Sequence, residues 1–151
     1  MQQFFPEVTR KNISLNSALK LLWDNFPENK LKEGTVITYQ EIENIIGATH
    51  GSSRFGSIVS RWKNELLTIA GKVLICRVNI GYDVGDSHQK LSYAKSLQIS
   101  GLKKIQKSSS VQDTVDTTKL SEEERVLYTK MRNANAALNV SYKRELEKPS
   151  I

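Results

Sequence analysis

Residues 52–67 read SSRFGSIVSRWKNELL, and this stretch decides the fold more than any other part of the chain. Its large apolar side chains recur three or four residues apart, as on one side of an α-helix. They are Phe55, Ile58, Val59, Trp62 and Leu66. The opposite side offers Arg54, Ser57, Arg61 and Asn64. We therefore predict a helix that packs on a core through one side and exposes a polar and basic side to solvent.

Two further helices and a short strand are predicted before this stretch. Residues 16–26 have apolar positions at helical spacing, with Asn16 as the N-cap and Pro27 as the stop. The β-branched run TVIT at 35–38 predicts a brief strand. Thr38 and Glu41 have the spacing of a capping box, and Gly47 is placed to end the short helix between them. A tight linker, ATHG at 48–51, then connects this helix to the next.

A β-hairpin is predicted directly after the third helix. The segment KVLICRVNIGYDVG at 72–85 has strand-like composition and predicts strands over 73–78 and 82–84. Gly81 is expected to permit the chain reversal, since glycine adopts turn conformations without strain. Tyr82 is expected to turn inward against the third helix. Cys76 lies in an apolar run and is expected to be a buried thiol.

The rest of the chain predicts two helices with a break between them. A basic helix over 89–107, frayed near Gly101, precedes a polar segment at 108–119 that is typical of a flexible linker. Ser121 and Glu124 form another capping-box pair at the start of a long helix over 120–148. Its apolar positions are Leu127, Met131, Ala134, Leu138 and Tyr142. This stripe fits a homodimer seam, packing within the chain, or a contact with another protein.

The positive charge is concentrated in the middle of the chain. Residues 72–110 hold seven Lys and Arg against two Asp and Glu, a net charge of +5, whereas the whole chain has +6. Such an excess favours an anionic partner, of which nucleic acid is the commonest.

The sequence predicts no catalytic residue, no cofactor and no metal. A single cysteine and two distant histidines cannot form a zinc site. Glu41 and Glu43 are two residues apart and point to different sides of their helix, and the acids at 122–124 complement a helix N-terminus. No apolar run approaches the ~18 residues of a membrane span, and the N-terminus lacks a signal-peptide core. We expect a cytoplasmic protein.

The order of elements over residues 14–86 resembles a winged helix-turn-helix domain. GSIVSRWKNELL followed by RVNIGYDV is similar to the recognition helix and wing of bacterial response-regulator effector domains, which often end in a comparable Gly-Tyr step. The layout also resembles small winged-helix proteins encoded by bacteriophages. The resemblance implies an α+β, mostly α fold, made of three helices and a small antiparallel sheet, followed by the basic helix and the long C-terminal helix. It also implies a small transcription regulator, and phage origin is part of that expectation.

The predicted organisation has five segments. These are an N-terminal arm (1–13), the winged helix-turn-helix domain (14–88), the basic helix (89–107), the linker (108–119) and the C-terminal helix (120–148). The recognition helix (52–67) is expected to enter the major groove of double-stranded DNA. The wing (72–85) is expected to lie on the DNA backbone or in the minor groove.

The predicted DNA-binding residues follow from this arrangement. They are Thr49, Ser52, Ser53, Arg54, Ser57, Arg61, Asn64, Lys72, Arg77, Asn79, Lys103, Lys104 and Lys107. Arginine can bind guanine and asparagine can bind adenine through two hydrogen bonds each, and hydroxyls at a helix N-terminus can meet a phosphate. Lysines contact phosphates without regard to sequence.

Two other functions compete with DNA binding. In the first alternative, the domain is a protein-interaction module that binds or inhibits a host protein or assembly. Its positive charge would then be incidental to that function. RNA binding is the third hypothesis, and the scarcity of aromatic residues for base stacking disfavours it.

Overall fold

The computed structural model describes residues 13–146, so almost all of the predicted N-terminal arm lies outside the described residues. Within this range the chain has an α+β fold that is mostly helical. The elements are α1 (Leu15–Asn25), β1 (Val36–Thr38), α2 (Tyr39–Ile46), α3 (Ser53–Ala70), β2 (Leu74–Arg77), β3 (Gly81–Val84), α4 (Ser87–Gln112) and α5 (Glu122–Leu146). The chain divides into two compact units, with the boundary in the sequence between Tyr93 and Ala94. We call residues 13–93 the first unit and residues 94–146 the second.

The three strands form one antiparallel sheet with β3 in the centre. Ile37 of β1 and Cys76 of β2 both align with Tyr82 of β3. The predicted hairpin is therefore present, and each of its strands differs from the predicted bounds by one or two residues. β1 adds a third strand to the free edge of β3.

The core of the first unit lies between α1, α2, α3 and one face of the sheet. All five apolar residues of the opening stretch are buried, which confirms the predicted inner side of α3. Leu22 of α1, Ile42 of α2 and Ile37 of β1 are fully buried against them. Each such side chain contributes roughly 1.5–3 kcal/mol when it is removed from water.

Helix ends in this unit follow the capping signals, with one correction. The Thr38 hydroxyl accepts from the backbone N–H of Glu41, and the Glu41 carboxylate accepts from that of Thr38 at 2.7 Å, so the capping box is confirmed. Ser52 caps α3, accepting from Phe55 N–H at 3.2 Å. The prediction that Asn16 caps α1 is wrong. Ser14 has the extended backbone of a cap residue and accepts from Ser17 N–H at 3.1 Å.

Gly81 is required for a different reason from the one predicted. A Cβ at this position would lie 1.9 Å from the carbonyl oxygen of Ile37 and 2.7 Å from Cα of Thr38. The glycine thus permits β1 to approach β3. The left-handed conformation in the hairpin belongs to Asn79, with φ of 62°. Asparagine tolerates this region better than most residues, so Asn79 sits where the chain reverses.

The prediction of a buried Cys76 is wrong, because its side chain is exposed. Leu74 lies two residues earlier on the same side of β2 and is buried. The hairpin therefore continues past the edge of the core. The Tyr39 hydroxyl lies 3.3 Å from Cys76 Sγ, and this hydrogen bond, together with burial, raises the pKa of Tyr39 to about 12.

Helix α4 is longer than predicted and unbroken. It runs through Gly101 and ends at Gln112, so the first five residues of the predicted linker are helical. Ser110 Oγ bonds to the carbonyl of Gln106 at 3.2 Å, which satisfies a polar side chain that would otherwise favour a loop. The remaining connection contains a 3-10 turn at Thr117–Lys119. A capping box from Ser121 to Glu124 begins α5, as predicted, and residues 147 and 148 of the predicted helix lie outside the described range.

In the second unit, polar side chains of α4 and α5 contact each other, and apolar residues such as Ile105 are half-buried. Gln112 is its one buried side chain among the described residues. The Tyr128 hydroxyl donates to the Gln112 carbonyl at 3.2 Å, and Asn135 Nδ2 donates to Ser108 Oγ at 3.4 Å. Arg132 lies 3.0 Å from Asp113. Across residues 13–146, none of the helices combines the length and apolar composition that crossing a membrane requires.

Candidate nucleic-acid interface

An open groove of about 770 Å³ lies along the solvent side of α3. α3 forms one wall, while the hairpin and the beginning of α4 form the other. Its lining residues are Gly56, Ser57, Val59, Ser60, Arg61, Lys63, Asn64, Leu67, Val73, Leu74, Tyr82 and Tyr93. All of them belong to the first unit.

The centre of the exposed side of α3 carries small polar side chains. At about 100° per residue, Ser57, Ser60 and Asn64 point away from buried Trp62. All three are exposed. Gly56 stands beside them, and a Cβ there would meet no atom within 4 Å. This face can therefore approach a flat or grooved partner closely, and Asn64 is its longest hydrogen-bonding side chain.

The two arginines of α3 lie at one flank of this face, roughly 70–90° from its centre. Arg54 donates from Nη2 to the carbonyl oxygen of Ile13. Arg61 Nε lies 3.3 Å from Glu65 Oε1, and Trp23 Nε1 donates to the other oxygen of Glu65 at 3.0 Å. Both guanidinium groups thus bind groups of the protein itself. Arg61 still lines the groove, whereas Arg54 does not.

Lys63 lies at the other flank, beside the hairpin. It is not among the DNA-binding residues predicted from the sequence. Its ammonium nitrogen is 5.1 Å from the centre of the Tyr82 ring, a cation–π distance. Burial lowers the pKa of Lys63 from its usual 10.5. Helical spacing places Lys63 on the same side of α3 as Gly56 and Ser60, which precede it by seven and three residues. This spacing could have identified Lys63 as a residue of the exposed side.

Tyr82 packs inward as predicted and is half-buried against the core. Its ring meets Tyr39 edge-on at 5.4 Å, and burial raises the pKa of Tyr82. The tyrosine therefore supports the position of Lys63 and lines the groove with its remaining exposed surface.

The turn between α2 and α3 places three predicted residues at the N-terminus of α3. Thr49, Ser52 and Ser53 are exposed, and the Ser52 hydroxyl is already engaged as the cap. His50 has a structural role here, since its ring stacks on Tyr39 with centres 3.7 Å apart. Its backbone N–H donates to the Glu43 carboxylate.

The predicted DNA-binding residues of the hairpin differ in their exposure and in their contacts. Arg77 is exposed and lies 3.6 Å from Asp83, while Lys72 precedes β2 and is half-buried. Asn79 is exposed at the tip, flanked by Val78 and Ile80, whose side chains are 76% and 45% exposed. The tip is therefore more apolar than basic.

The remaining predicted residues, Lys103, Lys104 and Lys107, are exposed on α4 in the second unit. The boundary between the two units falls inside the basic segment 72–110, so the positive charge of that segment is shared between the units. Residues 13–93 hold nine Lys and Arg against eight Asp and Glu, and residues 94–146 hold ten against six. Most of the positive excess of the described chain thus belongs to the second unit.

Among residues 13–146, no three His, Cys, Asp or Glu side chains gather closely enough to hold a metal ion. No family model, curated protein or solved structure matches this chain.

Proposed function

We propose that residues 14–88 form a winged helix-turn-helix domain that binds double-stranded DNA, and that the protein regulates transcription in the cytoplasm. The observation that carries this proposal is the exposed side of α3, with its small polar centre and open groove. α2, the turn and α3 correspond to the helix-turn-helix, and β2 with β3 corresponds to the wing. α3 is the recognition helix.

The dimensions and chemistry of α3 support this proposal. The major groove of B-DNA is about 12 Å wide, close to the diameter of an α-helix with side chains. Ser57, Ser60 and Asn64 would face the base edges, because they lie opposite the core. Asn64 can make two hydrogen bonds to adenine, and the serines can bind bases or phosphates.

The cations at the two flanks would contact phosphates. Lys63 stands on the hairpin side of α3 and Arg61 on the opposite side, and both line the groove. Arg77 adds a third cation on β2, where its contact with Asp83 at 3.6 Å is a weak restraint. Arg54 and Arg61 thus become less favoured for base contacts than Asn64, since both already bind acceptors within the chain.

A salt series with a mixed-sequence DNA duplex tests the proposal. Fluorescence anisotropy should show binding that weakens as salt rises, because neutralised phosphates release counterions. Replacing Lys63 and Arg77 together by Gln should lower the log–log salt slope by about two units. Lys32→Gln, in the loop before β1 and outside the groove, is the matched control and should leave the slope unchanged.

The hairpin tip favours a second candidate function, a protein-interaction module that binds or inhibits a host protein. Val78 and Ile80 are exposed beside Asn79, and the first unit is nearly neutral. Exposed apolar side chains at a tip suit a protein partner better than a phosphate backbone. If the full chain does not bind duplex at low ionic strength, the DNA proposal fails and this candidate replaces it.

A further inference from the structure

Tyr39 is the first residue of α2, and it contacts three other parts of the first unit. Its backbone N–H donates to the carbonyl oxygen of Ile80 in the hairpin at 2.9 Å. Its ring stacks on His50 in the turn before α3, with centres 3.7 Å apart. The same ring meets Phe55 of α3 edge-on at 6.2 Å. Tyr39 therefore lies where α2, the turn, α3 and the hairpin come together.

Tyr39 restrains Tyr82 of the hairpin in two ways. The two rings are nearly perpendicular, with centres 5.4 Å apart. In such a pair the positive edge of one ring attracts the negative face of the other. The Tyr39 hydroxyl also lies 3.3 Å from Sγ of Cys76, which is the residue that pairs with Tyr82 across β2 and β3. Tyr39 thus holds both Tyr82 and its strand partner.

Gly81 permits this arrangement. Thr38 of β1 pairs with Gly81 of β3, and a Cβ at residue 81 would lie 2.7 Å from Cα of Thr38. Because Tyr39 directly follows Thr38, the close approach of β1 to β3 sets the start of α2 against the hairpin.

Lys63 is the last residue in this series of contacts. Its ammonium nitrogen lies over the Tyr82 ring, 5.1 Å from the ring centre. A lysine side chain is flexible, and a ring beneath the ammonium restricts where that charge can go. A cation whose position is already restricted loses less freedom when it binds a phosphate. The position of the Tyr82 ring therefore bears directly on how well Lys63 can bind an anion in the groove.

We propose that Tyr39 is a positioning residue for DNA binding, which holds the Tyr82 ring and thereby the Lys63 ammonium at the hairpin flank of the groove. This inference rests on the proposed DNA-binding function. Tyr39 itself does not line the groove, so it acts through Tyr82 and not by touching the duplex.

Nuclear magnetic resonance of the full chain tests the positioning without DNA. The ε-methylene protons of Lys63 should resonate upfield of those of exposed lysines, because the Tyr82 ring current shields them, and Lys63→Gln identifies their signals. Tyr39→Leu should move these signals towards the position of an exposed lysine. Tyr39→Phe keeps the ring and should leave them in place. Tyr39→Met replaces Tyr39→Leu if the leucine variant does not fold. Unchanged signals in the variant without a ring would overturn this inference and leave DNA binding untouched.

A double-mutant cycle tests the consequence for DNA binding. Tyr39→Leu should weaken duplex binding about threefold in anisotropy titrations, which is the size of a lost cation–π restraint. In a Lys63→Gln chain the same change should weaken binding less than about 1.5-fold, because the cation that Tyr39 positions is then absent. Tyr39→Phe should bind as the wild type does.

Phe26→Leu is the matched control for a general loss of packing. It removes another half-buried ring of the same core, which packs on Trp62 at 5.6 Å and does not line the groove. This change should lower stability and leave the affinity of the folded chain unchanged. Equal losses from Tyr39→Leu in the two backgrounds would overturn the positioning role alone. A wild-type chain that does not bind duplex would overturn the proposed function, and this inference with it.

Discussion

α3 and α5 each carry an apolar side, and the two units use these sides in opposite ways. α3 buries its apolar side completely and leaves a polar side exposed, whereas α5 leaves its apolar side exposed. The difference comes from what each helix packs against. α3 meets two helices and a sheet, and α5 meets only α4 within its unit. Helical periodicity thus identifies the apolar side of a helix, and the neighbouring elements decide whether that side is buried or stays exposed.

The largest contrast is expected between a core residue of the first unit and an exposed residue of the second. Trp62→Ala should lower the free energy of unfolding by about 3–5 kcal/mol, because Trp62 is fully buried at the centre of the core. Val140→Ala should change it by less than about 0.5 kcal/mol. Urea denaturation followed by circular dichroism measures both. Comparable losses for the two variants would contradict the assignment of the core to the first unit.

The sheet provides the next largest effect. Gly81→Ala should cost about 3 kcal/mol, since its Cβ would collide with the backbone of β1. Gly56→Ala is the matched control within the same unit. It lies inside α3 with no atom near its Cβ, so the change should raise stability by about 0.5–1 kcal/mol. Both tryptophans, Trp23 and Trp62, lie in this unit, so tryptophan fluorescence during urea denaturation reports on its unfolding. Destabilisation of the same size by both changes would disprove the close approach of β1 and β3.

The smallest expected effect concerns the protonation of Lys63. Because burial lowers the pKa of Lys63, this lysine loses its charge before the exposed lysines as the pH rises towards 10.5. DNA affinity should therefore fall by about two- to threefold across the alkaline range in the wild type, which corresponds to the partial loss of one phosphate contact. Lys63→Arg stays charged throughout and should show a smaller fall in anisotropy titrations. An identical fall in both proteins would exclude Lys63 from the contact.

The lowered pKa of Lys63 also determines how the free energy of unfolding changes with pH. The unfolded chain binds the Lys63 proton more tightly than the folded chain, so the free energy of unfolding should rise slightly as the pH increases through this range. Lys63→Arg should not show this rise. DNA affinity and stability are thus expected to change in opposite directions over the same pH interval.

Much of the first unit was predictable from the sequence because its signals are local. The side of α3 that carries Trp62 and the capping box at Thr38 depend on spacing within a few residues. The close approach at Gly81 was not predictable, because it depends on the β1 backbone more than forty residues earlier in the chain. Cys76 lies in an apolar run, and only the edge of the folded core determines that it is exposed.

The candidate site was predicted in outline and less well in detail. Spacing along α3 correctly separated an inner side from an outer side, and Ser57, Arg61 and Asn64 line the groove as a group. Arg54 binds the carbonyl oxygen of Ile13, forty-one residues earlier, and spacing along α3 cannot show that contact. Arg61 and Glu65 are four residues apart in α3, so their contact could have been read from the spacing. Lys63 is positioned by its contact with Tyr82 of the hairpin, and the spacing of residues within α3 cannot show that contact.

Selection of preferred sites from random DNA duplexes tests the central claim, that the exposed side of α3 contacts base edges, most directly. The wild-type chain should enrich one motif. Asn64→Ala should lose preference at one or two positions of that motif, a loss of roughly 1–3 kcal/mol in discrimination, while Lys63→Gln should weaken binding evenly across sequences. Lys32→Gln should select the wild-type motif unchanged. Enrichment of no motif by the wild type, or the same motif with the same preferences from Asn64→Ala, would contradict the account.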